Sequence, residues 1–173
     1  MCYMISKEEL ITKQLYFIRS KLTETPYFVN SEFFVLFTEK SVADSVAQRI
    51  CQRLSSYFSV GGAPVSVCVI TDNTLFFQEM MAIGYSKFSF NGEGQILDLN
   101  ILFEKNNDVS PEEKELYIYY MGYMKMQKSS HIGSVKRQKI ESASQLLNSN
   151  NNQKMIQRFI ESQRKLKQYY KEC

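Results

Sequence analysis

Val65-Ser66-Val67-Cys68-Val69-Ile70, followed at once by Thr71-Asp72-Asn73, is the stretch that decides the fold. Apolar side chains stand at both odd and even positions, so a strand here is covered on both faces rather than open to water on one. The β-branched residues favour a strand, and Gly61-Gly62 with Pro64 set a return loop just before it. Thr71, Asp72 and Asn73 offer capping groups for a helix to about Ile83, and Gly84 is placed to end it in a left-handed conformation.

The same alternation extends both ways. Upstream, Phe33-Phe34-Val35-Leu36-Phe37 is a second continuously apolar strand. Thr38 reads as the N-cap of a helix to about Phe58, whose buried face is marked by Ala43, Val46 or Ala47, Ile50, Leu54 and Phe58. Downstream, Tyr85 to Phe90 reads as a short strand, Asn91-Gly92-Glu93-Gly94 as a turn, and Gln95 to Phe103 as a strand, a short helix, or both in succession. Strands alternating with helices predict an α/β fold, with α+β as the variant: a small mixed sheet with packed helices. Strand order is not legible. At the start, Ser6 and Glu9 form a capping box for a helix from about Ser6 to Leu22, with Ile11, Leu15, Ile18 and Leu22 as its stripe.

Glu104 to Ser110 is polar and marks a boundary between an α/β domain, residues 1–105, and a helical region, residues 110–173, expected to pack on it. Ser110-Pro111-Glu112-Glu113 opens a helix with a cap, a first-turn proline and early acids. Leu116 to Met124 then runs apolar almost all round, which predicts burial of Tyr117, Ile118 and Met121 on different sides, by the chain itself or by a second copy. Further helices are predicted over about Ile132 to Leu147 and, after a polar break at Asn148 to Asn152, over about Asn152 to Tyr170.

Charge divides along the same boundary. From Tyr120 onward there are 11 Lys and Arg against 3 acids, whereas residues 1–119 hold 10 against 15. Opposite fields within one small protein point to a partner surface, or to docking of the basic part of the chain on its own acidic part. The candidate contact residues are Lys136, Arg137, Lys139, Lys154, Arg158, Arg164, Lys165, Lys167 and Lys171. The partner expected is a protein, or a second copy of the chain. The alternative is nucleic acid, held through phosphate without base reading, because dispersed cations are present and no base-reading set is recognisable.

The four cysteines, Cys2, Cys51, Cys68 and Cys173, show no metal-ligand spacing, and the single His131 has no partner for acid–base work. No phosphate-cradling glycine loop or hydrolase motif occurs. A non-enzymatic protein with no cofactor and no metal is therefore expected. The one place that admits a small enzyme is the carboxyl end of the decisive strand, at Asp72 and Asn73 with the 91–94 turn. No 18-residue apolar run suggests a membrane span, and Lys7, Glu8 and Glu9 interrupt any secretory core, so a cytoplasmic location is expected.

Pro26-Tyr27-Phe28-Val29, Phe33 to Lys40, and the run Phe76 to Gly92 together resemble the N-terminal domain of the enhanced serine sensitivity protein family. In that family a strand ending in Phe-Thr leads to a helix, and a later helix, glycine and short strand lead to an Asn-Pro turn. Gly92 stands here in place of the proline. The resemblance spans residues 26–103 and implies a small α/β domain with no catalytic residues to carry over.

Overall fold

The computed structural model describes residues 5–20, 26–29, 32–54, 64–105, 109–127 and 134–173. Helix α1, Lys7–Thr12, is started by Ser6, whose Oγ accepts from the Glu9 N–H at 3.1 Å. The helix expected to reach Leu22 ends there, and strand β1, Tyr16–Ser20, follows. Tyr16-Phe17-Ile18 are strong strand formers, and pairing lets Phe17 and Ile18 bury on opposite faces. The stripe Ile11, Leu15 and Ile18 fitted a helical period, and sheet pairing overrode it.

Strand β2, Phe28–Val29, leads into β3, Phe33–Leu36, and then into helix α2, Lys40–Leu54. The first helical bond of α2 runs from the Ala43 N–H to the Glu39 carbonyl at 3.2 Å, so Thr38 is not the cap. Its N–H donates instead to Asn91 Oδ1 at 3.2 Å, and the Asn91 amide donates back to Thr38 Oγ1 at 3.3 Å. Phe58 and Gly61-Gly62 lie outside the described residues. Strand β4, Val65–Ile70, and helix α3, Asn73–Ala82, stand where the sequence put them. Strand β5, Lys87–Phe90, turns through Asn91 (φ 54°) and Gly92 (φ 74°) into β6, Glu93–Asp98. Two consecutive positive φ values demand Asn-Gly chemistry. The one-turn helix α4, Leu99–Leu102, completes the segment, so strand and helix occur in succession.

Three long helices follow: α5, Pro111–Gln127, α6, Ser134–Leu147, and α7, Asn150–Leu166. Ser110 Oγ accepts from the Glu113 N–H at 3.1 Å, as the cap motif requires. The polar break narrows to Asn148 and Ser149. The last helix stops at Leu166 rather than Tyr170, and Tyr170–Glu172 form strand β7.

Three strands pair in the order β1-β4-β7, all antiparallel, and four in the order β2-β3-β5-β6, where β3 and β5 are parallel. Tyr16 and Phe37 exchange two backbone hydrogen bonds of 2.8 Å, and the Tyr27 N–H donates to the Ile18 carbonyl at 2.7 Å. These bonds join the two sets through β1. The chain is thus a mixed α/β fold with a small sheet, packed helices and a helical C-terminal region.

Strand alternation feeds two cores. Phe17, Phe34, Leu36, Cys68, Ile70, Phe88 and Tyr170 face α1, α3, α5 and α7, and the T-shaped pair Phe17–Tyr170 (5.1 Å between centroids) ties β1 to β7. Ile18, Phe37, Val65 and Val67 face α2 through Ala43, Ala47 and Ile50. Replacing Val67 by Asp sets an unpaired carboxylate against α2 and is expected to cost on the order of 3 kcal/mol or more. Thermal denaturation reads this as a lowered midpoint, and an unchanged melt would place Val67 at the surface.

Candidate interaction surface

Helix α7 is sharply two-sided. Ile156, Phe159 and Leu166 are buried, while Asn150, Gln153, Lys154, Gln157, Arg158, Arg164 and Lys165 face out. The period of 3.6 that places Phe159 against the core places Lys154, Arg158 and Lys165 in one row on the other side. Phe159 anchors the helix. The Tyr117 ring stacks on it at 4.6 Å and 22°, with Tyr120 and Tyr85 meeting it edge-on.

Beside this aromatic stack, Glu113 of α5 is held by two partners. The Tyr117 hydroxyl donates to Glu113 Oε1, and the Arg158 guanidinium pairs with the same oxygen at 2.5 Å. The Glu113 side chain is 10% exposed and that of Arg158 is 68% exposed. Burial, and then the neighbouring carboxylate, push the Tyr117 phenol well above its ordinary range, so it stays a proton donor. Burial does the same to Tyr85, whose hydroxyl lies 4.0 Å from Met121 Sδ. These contacts form a clip between α5 and α7, adjoining a shallow hollow of about 330 Å³ that Glu161 and Lys165 also line.

The nine cations singled out from the sequence divide into several groups. Lys154, Arg164 and Lys165 are exposed on α7 with no ion pair among the described residues. Arg158 is engaged with Glu113, and Lys167 is exposed just past the end of α7. Arg137 is exposed on α6, where Lys136 and Lys139 also fall, but the side chains of those two lie outside the described residues. Lys171 is in register with Val69, so it projects from the α2 side of the sheet, away from α7. The structure therefore brings together the α7 set and separates Lys171 from it. Arg158 sat in the same sequence pattern as Lys154, and nothing local distinguished a cation claimed by a carboxylate 45 residues upstream.

The α5 helix is less enclosed than its composition implied. Tyr117 and Leu116 are buried, but Ile118 and Tyr119 keep 41% and 42% of their surface. Within the chain Tyr120 and Met121 are half-buried against the core as well, while Ile118, expected to be buried by the chain itself or by a second copy, is left uncovered by the chain. On α6, Leu146 is also exposed.

The other candidate positions have structural employment. Asp72 Oδ1 accepts from the Leu75 N–H at 3.1 Å and so caps α3. The Asn73 amide donates to the carbonyls of Leu10 and Lys13 at 2.9 and 2.7 Å, closing the end of α1. Cys68 is buried and its thiol is pushed up by that burial, Cys51 is half-buried, and Cys173 is exposed. Cys2 and His131 lie outside the described residues. Among the described residues no three His, Cys, Asp or Glu side chains are grouped to hold a metal, and no helix is long and apolar enough to cross a membrane.

Replacing Arg158 by Ala leaves the Glu113 carboxylate with only the Tyr117 phenol. The expected loss is about 1–2 kcal/mol, reduced from the cost of breaking a fully buried pair by the exposure of the arginine. Lys154→Ala, one turn away and unpaired, should stay within about 0.5 kcal/mol of the parent. Urea denaturation of the two variants side by side checks the contrast. No protein-family model matches the chain, and no curated protein or solved structure matches it significantly.

Proposed function

We propose that this chain is a non-enzymatic binding protein that uses the outer face of α7 to hold an acidic protein surface. The observation that carries the reading is the set Lys154, Arg164 and Lys165, exposed on one rigid helix whose opposite face is locked into the core by Phe159. The intervening Gln153 and Gln157 add neutral hydrogen-bonding groups to that face. Cations fixed on a packed helix meet a partner without the ordering cost that a flexible tail would incur.

A protein partner fits better than nucleic acid on two counts. Arg158, at the centre of the row, is already neutralised by Glu113, and Glu161 lies between Arg158 and Lys165. Lys171 stands on the other side of the sheet. Among the described residues of α7, what is left is a patch of about two net positive charges, three cations offset by Glu161, rather than a track along which a phosphate backbone could run. The resemblance to the enhanced serine sensitivity family, which implies no catalytic residues, agrees with this reading.

Fluorescence anisotropy with labelled polyglutamate and with a single-stranded oligonucleotide of equal charge tests it. The acidic polypeptide should bind more tightly at low salt, and the triple change Lys154→Gln, Arg164→Gln, Lys165→Gln should weaken it by about tenfold. Tighter binding of the oligonucleotide, with a log–log salt slope that falls by roughly one for each cation removed, would put nucleic acid in place of protein. Absence of binding to either would make α7 a solvated face and end the proposal.

A further inference from the structure

A second concave region lies on the opposite side of the sheet, and the basic helices have no part in it. Helix α2 does not cover the whole α2-facing surface of the strands. Between α2, the middle of the sheet and the β5–β6 turn lies a groove of about 570 Å³. Its floor is apolar, built from Ile18 of β1, Val35 of β3, Phe37, and Val46 and Ile50 of α2. That floor alone would suit any greasy group. Its rim is what selects.

Arg49 and Arg53, one turn apart on α2, line the groove together. Residues four apart on a helix lie side by side, so the two guanidinium groups can serve one ligand. Arg53 Nη2 donates to the Tyr27 hydroxyl at 2.9 Å, which steadies both groups and leaves the phenol proton free to donate. Among the described residues Arg49 has no hydrogen-bond or ion-pair partner. Glu93, at the start of β6, is the one acid on the rim among the described residues and forms no ion pair with either arginine. Among the described residues the rim therefore carries a net charge of one positive unit.

One more polar group on this side of the sheet is unsatisfied. Ser89 is in register with Val35 in the parallel β3–β5 pair, so the two side chains emerge from the same face. It is 3% exposed, and its Oγ has no hydrogen-bond partner among the described residues. A buried hydroxyl without a partner costs about 1–3 kcal/mol, but Ser89 lies beneath the floor and does not line the groove, so selection rests on the rim.

We infer that this groove binds a small molecule with an apolar body and a single carboxylate head, the body on Val35, Val46 and Ile50 and the head between Arg49, Arg53 and the Tyr27 hydroxyl. The planar fork of arginine matches a carboxylate in two-point contact. Two cations offset by one acid favour a monoanion, since Glu93 repels a second negative charge. The volume falls in the usual range for metabolite-sized ligands. This site lies across the sheet from the α7 face and is independent of the function proposed for it.

Calorimetric titration with octanoate, octanamide and octyl phosphate at pH 8 tests the assignment, with methyl NMR of the unaltered protein to locate the ligand. Octanoate should shift the Val35, Val46 and Ile50 methyl signals and bind at least about tenfold more tightly than octanamide. The double change Arg49→Gln, Arg53→Gln should remove that advantage while leaving octanamide unaffected. Dianionic octyl phosphate should bind more weakly than octanoate, and Glu93→Gln should narrow the gap. Should the double variant fail to fold, the octanoate–octanamide comparison and the Glu93→Gln variant still decide the matter. Equal affinity for octanoate and octanamide, methyl shifts confined to the α5–α7 side, or no binding at millimolar octanoate would each overturn the inference.

Discussion

Strand β4 cannot exist alone. Its side chains are buried on both faces and its backbone lies in the interior, so it needs a hydrogen-bonding neighbour on each edge and a helical layer on each side. The rest of the chain is arranged to meet those four demands. Residues 16–20 pair with one edge and residues 170–172 with the other. Helix α2 covers the face of Val65 and Val67, and α3 with α7 covers the face of Cys68 and Ile70. Tyr170 fills a role in both systems, since it pairs with Ile70 through the backbone and meets Phe17 edge-on through its ring.

This dependence explains what the sequence made legible and what it hid. Local chemistry was enough for β4, α3, the 91–94 turn and the start of α5. In each of these the deciding residues are neighbours: Val65 to Ile70, Asp72 beside Leu75, Asn91 beside Gly92, Ser110 beside Glu113. The failures occurred where a distant partner decided. Tyr16-Phe17-Ile18 became a strand because β4 offered an edge, and Tyr170-Lys171-Glu172 left a helical pattern for the same reason. Thr38 lost its capping role to Asn91, 53 residues away. No periodicity along a single segment carries information of that kind.

The charge split takes a different form in three dimensions. Along the sequence, the basic end and the acidic remainder suggested two bodies attracting each other. In the structure one pair links them most directly, Arg158 with Glu113, and it lies within the helical layer rather than between that layer and the sheet. Arg19 with Glu172, 3.5 Å apart, runs in the reverse sense, the cation coming from the acidic part and the acid from the basic part. Cohesion between the two parts of the chain is apolar and aromatic, through Phe17, Phe76, Tyr170, Phe77 and Phe159. Among the described residues, Lys154, Arg164 and Lys165 of α7 form no ion pair and stand available for contact with something else.

The position of β7 also bears on how the protein is made. Its partner Cys68–Ile70 leaves the ribosome roughly a hundred residues before it does, so the most hydrophobic strand of the sheet spends much of its synthesis with one edge bare. A bare, apolar edge is a template for pairing with a neighbouring nascent chain. A three-residue strand, two of its residues charged, closes that edge, with Lys171 and Glu172 exposed to discourage further strand addition. The sheet stays unfinished while the residues between Ile70 and Tyr170 are added. The interval before Tyr170 docks is when a holding chaperone would have the most to do.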